Sequence, residues 1–287
     1  MRDLLFVGLF ALFLANTHAA DINDLTYAAA IGDTIVITDC AEDAAGDLVI
    51  PDTIGGKPVN YIGRYAFSNC TSLTSITIPD SVTSIGNYAF SGCSNLKSIT
   101  FGKNSKLTSI GSSAFDDCTS LTSITIPEGV TSIEIATFYD CRSLTSITIP
   151  DSVTSIGKSA FGGCSALTRI TIPDGVTSIE DSTFFNCTSL PTITIPEGVT
   201  SIDIAAFQGC DKLTNITIGN SITSIVHEVF AKCSSLTAVT FLGDAPKNVS
   251  NVFKGSEPIL YRTKNSIGWK QLWSGRPVRL LSEKNKN

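Results

Sequence analysis

Eight of the nine cysteines stand at positions 70, 93, 118, 141, 164, 187, 210 and 233, with successive gaps of 23, 25, 23, 23, 23, 23 and 23 residues. Evenly recurring thiols can bridge as disulfides, ligate a metal, or react as thiolates. The spacing fits no metal pattern, because structural sites pair their cysteines two to four residues apart. Were the copies stacked on successive coils, about 5 Å apart, disulfides would be within Cα reach. Parallel side chains point alike, however, and bridging would need local distortion. The residues therefore favour a buried ladder of free thiols acting as small hydrophobes. Cys40 lies outside the ladder, and its candidate disulfide partner is Cys70.

Other reactive residues are sparse. The two histidines are His18, in the N-terminal leader, and His227, which stands in a variable slot. No Ser-His-Asp or Cys-His set can be assembled without His227, and no nucleophile elbow or phosphate-binding glycine loop is present. The chain reads as a non-enzyme without a cofactor. Asp80, Glu128, Asp151, Asp174 and Glu197 form an acidic column in which Asp151, Asp174 and Glu197 are candidate calcium ligands. Ordinary turn chemistry after proline explains the same residues.

The elements that position these groups are repeats. Between Cys141 and Cys164 fall Leu144, Ile147, Ile149, Pro150, Val153, Ile156, Ala160 and Phe161. The same slots hold Leu73, Ile76, Ile78, Pro79, Val82, Ile85, Ala89 and Phe90 in an earlier copy. Ser-Ile-Thr-Ile-Pro alternates as a half-buried strand ended by proline. Pro-Asp-Gly or Pro-Glu-Gly makes a turn, Val-Thr-Ser-Ile is a second extended piece, and Ala-Phe-x-x-Cys suits a short helical turn. The gap of 25 is a two-residue insertion within residues 101–107. Leu190-Pro191 predicts a local irregularity in the strand that follows.

The pattern Leu-x-x-Ile-x-Ile-Pro, then Val-x-x-Ile-x-x-x-Ala-Phe-x-x-Cys, resembles the BspA-like, treponemal-type leucine-rich repeats. The resemblance covers about residues 48–241 and extends to the tail, with Phe241-Leu242-Gly243-Asp244-Ala245-Pro246 and Gly268-Trp269. It implies a secreted or surface-attached adhesion or interaction protein with no catalytic residues. The expected fold is a repeat solenoid: a leucine-rich-repeat parallel β-sheet with short helical or irregular convex segments, capped at both ends. Residues 1–19 read as a signal peptide, because the apolar run from Leu4 to Ala15 ends in small residues that favour cleavage after Ala19. Residues 20–47 read as the N-terminal cap, 48–241 as about nine coils, and 242–287 as a C-terminal cap and tail.

The surface must then carry the function. Net charge is −6 with pI about 4.9, and the repeats lack a basic cluster, which argues against nucleic acid. No segment after the leader is long enough to span a membrane. Two outward columns carry Thr77 through Thr240 and Ser75 through Ala238, and Arg169 is the only charged side chain in them. Variable slots beside the Ala-Phe turn hold Tyr88, Tyr139, Arg142 and Phe185, the last three expected on adjacent coils. With Arg169 these are the candidate binding residues. The expectation is a monomeric, secreted or cell-surface protein whose partner is a protein or glycan; a structural envelope or matrix component is the alternative. Trp269 and Trp273 are expected to pack in the C-terminal cap.

Overall fold

Residues 18–247 and 249–284 of the computed structural model are described. Of the expected signal peptide at residues 1–19, residues 1–17 lie outside them; His18–Ala19 are described and pair in parallel with Ala44–Ala45. Each repeat closes one coil of a parallel β-solenoid and contributes two strands, except the coil of residues 164–187, which has only Ser178–Ile179. The first ladder includes Leu73–Ile78, Ser98–Phe101, Ser123–Thr125 and Ser146–Thr148, then Thr192–Ile195, Asn215–Ile218 and Ala238–Phe241. Like pairs with like: Ser75 faces Ser98, and Ile124 faces Ile147. The two-residue insertion leaves this register intact, because Ser123 still faces Ser98. The insertion is held by Asp80, whose carboxylate accepts the Asn104 N–H at 3.0 Å.

The second ladder is built from Ser-Ile pairs such as Ser84–Ile85 and Ser109–Ile110. Its pairing stops before Ser132–Ile133 and again before Ser178–Ile179. Both interruptions fall in coils where glutamate replaces the usual glycine after the strand. In these coils Ser132 and Ser178 donate to Glu134 and Glu180 at 2.7 Å. Thr137 and Thr183 donate to the carbonyls of the same glutamates at 2.8 Å.

The Ala-Phe-x-x-Cys segment is of the irregular kind and contains no helix. Ser159, Phe161 and Gly163 donate their N–H groups to Asp181, Thr183 and Phe185 of the next coil at 2.7–2.9 Å. Ala160, Gly162 and Cys164 instead donate three residues back at 3.0–3.2 Å. A helix would keep every donor inside its own coil; the alternation gives half of them to the neighbour. The backbone turns left-handed immediately before each ladder cysteine, at φ 76° for Gly163. Asn69, Gly92, Asp117, Asp140, Asn186 and Gly209 occupy that slot, residue types that tolerate it; before Cys233 the slot is held by Lys232, at φ 58°.

Inside, Phe67, Phe90, Phe115, Phe138, Phe161, Phe184, Phe207, Phe230 and Phe253 form one column. Ring centroids are 4.9–5.7 Å apart and planes within 13° of parallel. Each ladder thiol from Cys93 to Cys233 donates to a phenylalanine carbonyl in the preceding coil at 2.9–3.2 Å. That carbonyl also accepts the N–H of its own coil's cysteine, as Phe161 does from Cys164 at 3.2 Å.

The stack continues past Phe241. Ala238–Phe241 pairs in parallel with Ile259–Arg262, and that strand pairs with Arg276–Leu280. Ser256 takes the cysteine slot and donates to the Phe230 carbonyl at 2.7 Å. The end is closed by Trp269 and Trp273, whose rings pack against Phe241 at 4.8 and 5.7 Å and whose N–H groups reach the Gly243 and Pro246 carbonyls. At the other end a hairpin, Leu25–Ala30 with Thr34–Cys40, joins the second ladder by parallel pairing to Lys57–Ile62.

The irregularity expected at Pro191 falls one coil earlier. Thr192–Ile195 is a regular strand, whereas residues 169–172 join the sheet only through a bridge from Ser146 to Arg169. In neighbouring coils the residue in the Pro191 slot donates backward, as Thr168 does to Thr145 and Thr214 does to Pro191, each at 3.0 Å. Proline has no N–H, so Thr168 loses that donor and the strand behind Pro191 is left open.

Ser256 shows that a hydroxyl can replace the thiol. In urea titrations Cys187→Ala should therefore be less stable than Cys187→Ser by about 1 kcal/mol, the net worth of one buried hydrogen bond. Equal midpoints would show that the thiol contributes volume alone.

Candidate interaction surface

The turn edge brings several variable residues together. Tyr139, Gly162 and Phe185 share one column, so Tyr139 and Phe185 lie two coils apart rather than on adjacent coils, with Gly162 between them. A Cβ placed at Gly162 would lie 3.0 Å from the Tyr139 ring; the missing side chain is what lets that ring lie across the gap. Beside it, a Cβ at Gly163 would collide with the Asp140 carboxylate. Tyr139 is exposed, and Phe185 is half-buried. A groove of about 310 Å³ runs past Asp140, Arg142, Gly163, Ser165, Asn186 and Thr188. Arg142 pairs with Asp140 at 2.8 Å, an exposed contact worth little to stability. Asp116, one coil before Tyr139, has its carboxyl pushed up by burial and by the charges of Asp117 and Asp140. The groove itself is thus polar, lined by one carboxylate, one guanidinium, a glycine and three small polar side chains, and the Tyr139–Gly162–Phe185 column runs beside it in sequence.

Tyr88 belongs to a different group. Its ring stacks on Tyr65 at 5.1 Å, and Arg64 lies 4.7 and 5.8 Å from the two ring centres. Arg64 also donates to the Tyr65 hydroxyl at 2.9 Å. Sequence reasoning missed Arg64 and Tyr65, although tyrosines one repeat apart in one slot were a visible signal. Arg169 stands on the strand face, away from both groups.

The residues considered for other chemistry are placed as follows. Asp151, Asp174 and Glu197 are exposed in successive turns. Among the described residues no three His, Cys, Asp or Glu side chains converge as a metal set. His227 is exposed, with Nδ1 3.2 Å from the Ser250 carbonyl. Cys40 and Cys70 are hydrogen-bonded neighbours, and this bond, with burial, pushes the Cys40 thiol far up. All nine cysteines are free thiols.

The BspA-type leucine-rich repeat region, in six copies, matches residues 48–167 and 131–260. The chain belongs to the BspA-type leucine-rich repeat family. This BspA-type solenoid is similar to the Treponema pallidum leucine-rich repeat protein TpLRR, at 28% identity and a TM-score of 0.52, over 76% of this chain and 91% of that one. It also resembles a leucine-rich cell surface protein from Faecalibacterium prausnitzii (24% identity, TM-score 0.41, 85% and 88% covered). A leucine-rich repeat protein from Bacteroides ovatus gives 23% identity and a TM-score of 0.46, over 84% and 89%. No curated protein matches significantly. Among the described residues no helix is long and apolar enough to cross a membrane.

In the BspA-type core the surroundings of the thiols from Cys93 to Cys233 favour the protonated form, whereas the bond with Cys40 draws the Cys70 thiol down. Burial raises Cys93, Cys118, Cys141, Cys164, Cys187 and Cys210, and pushes Cys233 up to about 12. A thiol whose folded pKa lies above its unfolded value stabilises the fold fully below the unfolded pKa, and that stability is lost as pH rises. Each such thiol contributes a slope of about −1.4 kcal/mol per pH unit once the unfolded form ionises. Melting temperature should therefore be flat from about pH 7 to 8 and fall steeply above about pH 9. A flat profile up to pH 11 would remove the ladder from the stability of the fold. Thiol titration in denaturant without reductant should count nine; seven would mean that Cys40 and Cys70 have oxidised to a bridge.

Proposed function

We propose that this chain is a secreted or cell-surface, non-catalytic interaction protein that presents its turn edge to a protein or glycan partner. The observation that carries this reading is the bracket of Tyr139 and Phe185 around Gly162 in an otherwise uniform frame. A repeat array fixes its backbone and core, so a partner can be chosen only through the slots that vary. Tyrosine and arginine are the side chains that dominate binding hot spots, and a half-buried aromatic loses little entropy on contact. Arg142 and Asp140 supply a polar border beside the apolar flanks. The apolar run at residues 4–15 supports export, as does its ending in small residues.

The chain lacking its leader is immobilised for pull-down from host or neighbour-cell surface extracts and probed on a glycan array. The expected result is a saturable partner whose apparent affinity drops at least tenfold when Tyr139→Ala and Phe185→Ala are combined. Circular dichroism should not change, and because Phe185 is half-buried melting should fall only modestly, so a lost partner is not explained by unfolding. Failure to capture anything in either format would instead favour a structural component of an envelope or matrix.

A further inference from the structure

Arg169 occupies an unusual place. It is the one charged side chain in the two hydroxyl columns of the strand face. It is exposed, and it has no ion-pair partner among the described residues, unlike Arg142, Lys158 and Lys254. It also stands where the first ladder is open, because Pro191 has withdrawn a donor from the strand that carries it.

Two grooves flank it. One, of about 340 Å³, is lined by Ser146, Thr148 and Thr171, with Ile147, Ile149 and Ile170 at its base. The other, of about 320 Å³, is lined by Thr168, Thr171, Thr192 and Thr194, with Ile170, Ile172 and Ile193. Arg169 lines both. Asp174 is the acidic group on the second groove. Apart from half-buried Ile149, these isoleucines are core residues that show a small edge between strands, 8% for Ile170 and 7% for Ile147. Such volumes lie at the small end for ligand sites, which begin at about 300 Å³.

The chemistry of these walls is specific. A guanidinium offers a planar fork that matches a carboxylate with two parallel hydrogen bonds. Serine and threonine hydroxyls each donate and accept, as sugar hydroxyls do. An isoleucine floor suits the C–H face of a sugar ring. We infer that the open strand at Arg169 is a binding site for a carboxylate-bearing sugar, with the carboxylate on Arg169 and the ring hydroxyls on the flanking Ser and Thr side chains. The inference rests on the reading of the chain as an interaction protein but uses a part of the coil remote from Tyr139 and Phe185. A simple carboxylate such as acetate would satisfy the guanidinium yet bring no ring hydroxyls to the flanking Ser and Thr side chains.

The full chain lacking its leader is titrated by calorimetry or chemical-shift perturbation with glucuronic acid, N-acetylneuraminic acid, glucose, acetate and tetra-alanine. At least one of the two sugar acids should bind at least tenfold more tightly than glucose, acetate or tetra-alanine. Which acid binds better identifies the sugar class. Arg169→Ala should abolish that preference, Arg169→Lys should retain part of it, and Thr171→Ala with Thr192→Ala should weaken binding a few-fold. The Tyr139→Ala, Phe185→Ala chain should bind the acid normally, so loss of the turn-edge partner and loss of this site are separate results. Acetate or tetra-alanine binding as well as the sugar acids would overturn the inference, as would no saturable binding of either acid or binding unchanged in Arg169→Ala.

Discussion

The phenylalanine carbonyl is the point on which the coils are hung. It takes one donor from its own coil, the cysteine N–H, and one from the next, the cysteine thiol. A buried carbonyl with a spare lone pair is a cost that the neighbouring coil removes, and it can do so only in one register. That register also sets phenylalanine over phenylalanine and isoleucine over isoleucine. Inter-coil donation from the turn edge and from the strands then follows at the same rise. One small side chain that is apolar in bulk yet able to donate is therefore needed in every coil, which is why the slot admits Cys or Ser and no larger residue.

Most of this was legible because the sequence repeats. The alternation in Ser-Ile-Thr-Ile-Pro locates the strand, and the recurrence of Ala-Phe-x-x-Cys locates the buried column. The internal conformation of the turn edge was not, since Ala, Phe and Cys are all compatible with a helix. The contrary signal stood in the slot before cysteine, where Asn, Asp and Gly alternate in every ladder coil but the last, which has Lys232, as left-handed backbone demands. The last coils were obscured by Ser256 in place of a cysteine, although Phe253 keeps the spacing from Phe230. Pro191 was correctly seen as disruptive, but a missing donor harms the strand whose carbonyl it would have served, not its own.

The candidate surfaces were less legible. Tyr139, Arg142 and Phe185 stand out as departures from the repeat, yet the relation between the aromatic pair depends on a residue that draws no notice, Gly162. Arg64 and Tyr65 looked like ordinary members of a degenerate first coil until their stacking on Tyr88 was seen. Arg169 was noticed as a charge among hydroxyls; that it has no counter-ion among the described residues and sits on a segment held to the sheet by a single bridge are facts of packing that a one-dimensional pattern does not hold.

The open strand has a mechanical consequence as well. In a solenoid each coil is bonded only to its neighbours, so cohesion is a chain of separate links. Around residues 156–192 the second ladder is interrupted before Ser178–Ile179, and the first is interrupted one strand later at Thr192–Ile195. The turn edge, the phenylalanine column and the thiol-to-carbonyl ladder run through this segment without a break. A load applied along the axis would concentrate there, so the molecule is a pair of stiff rods joined by a crease.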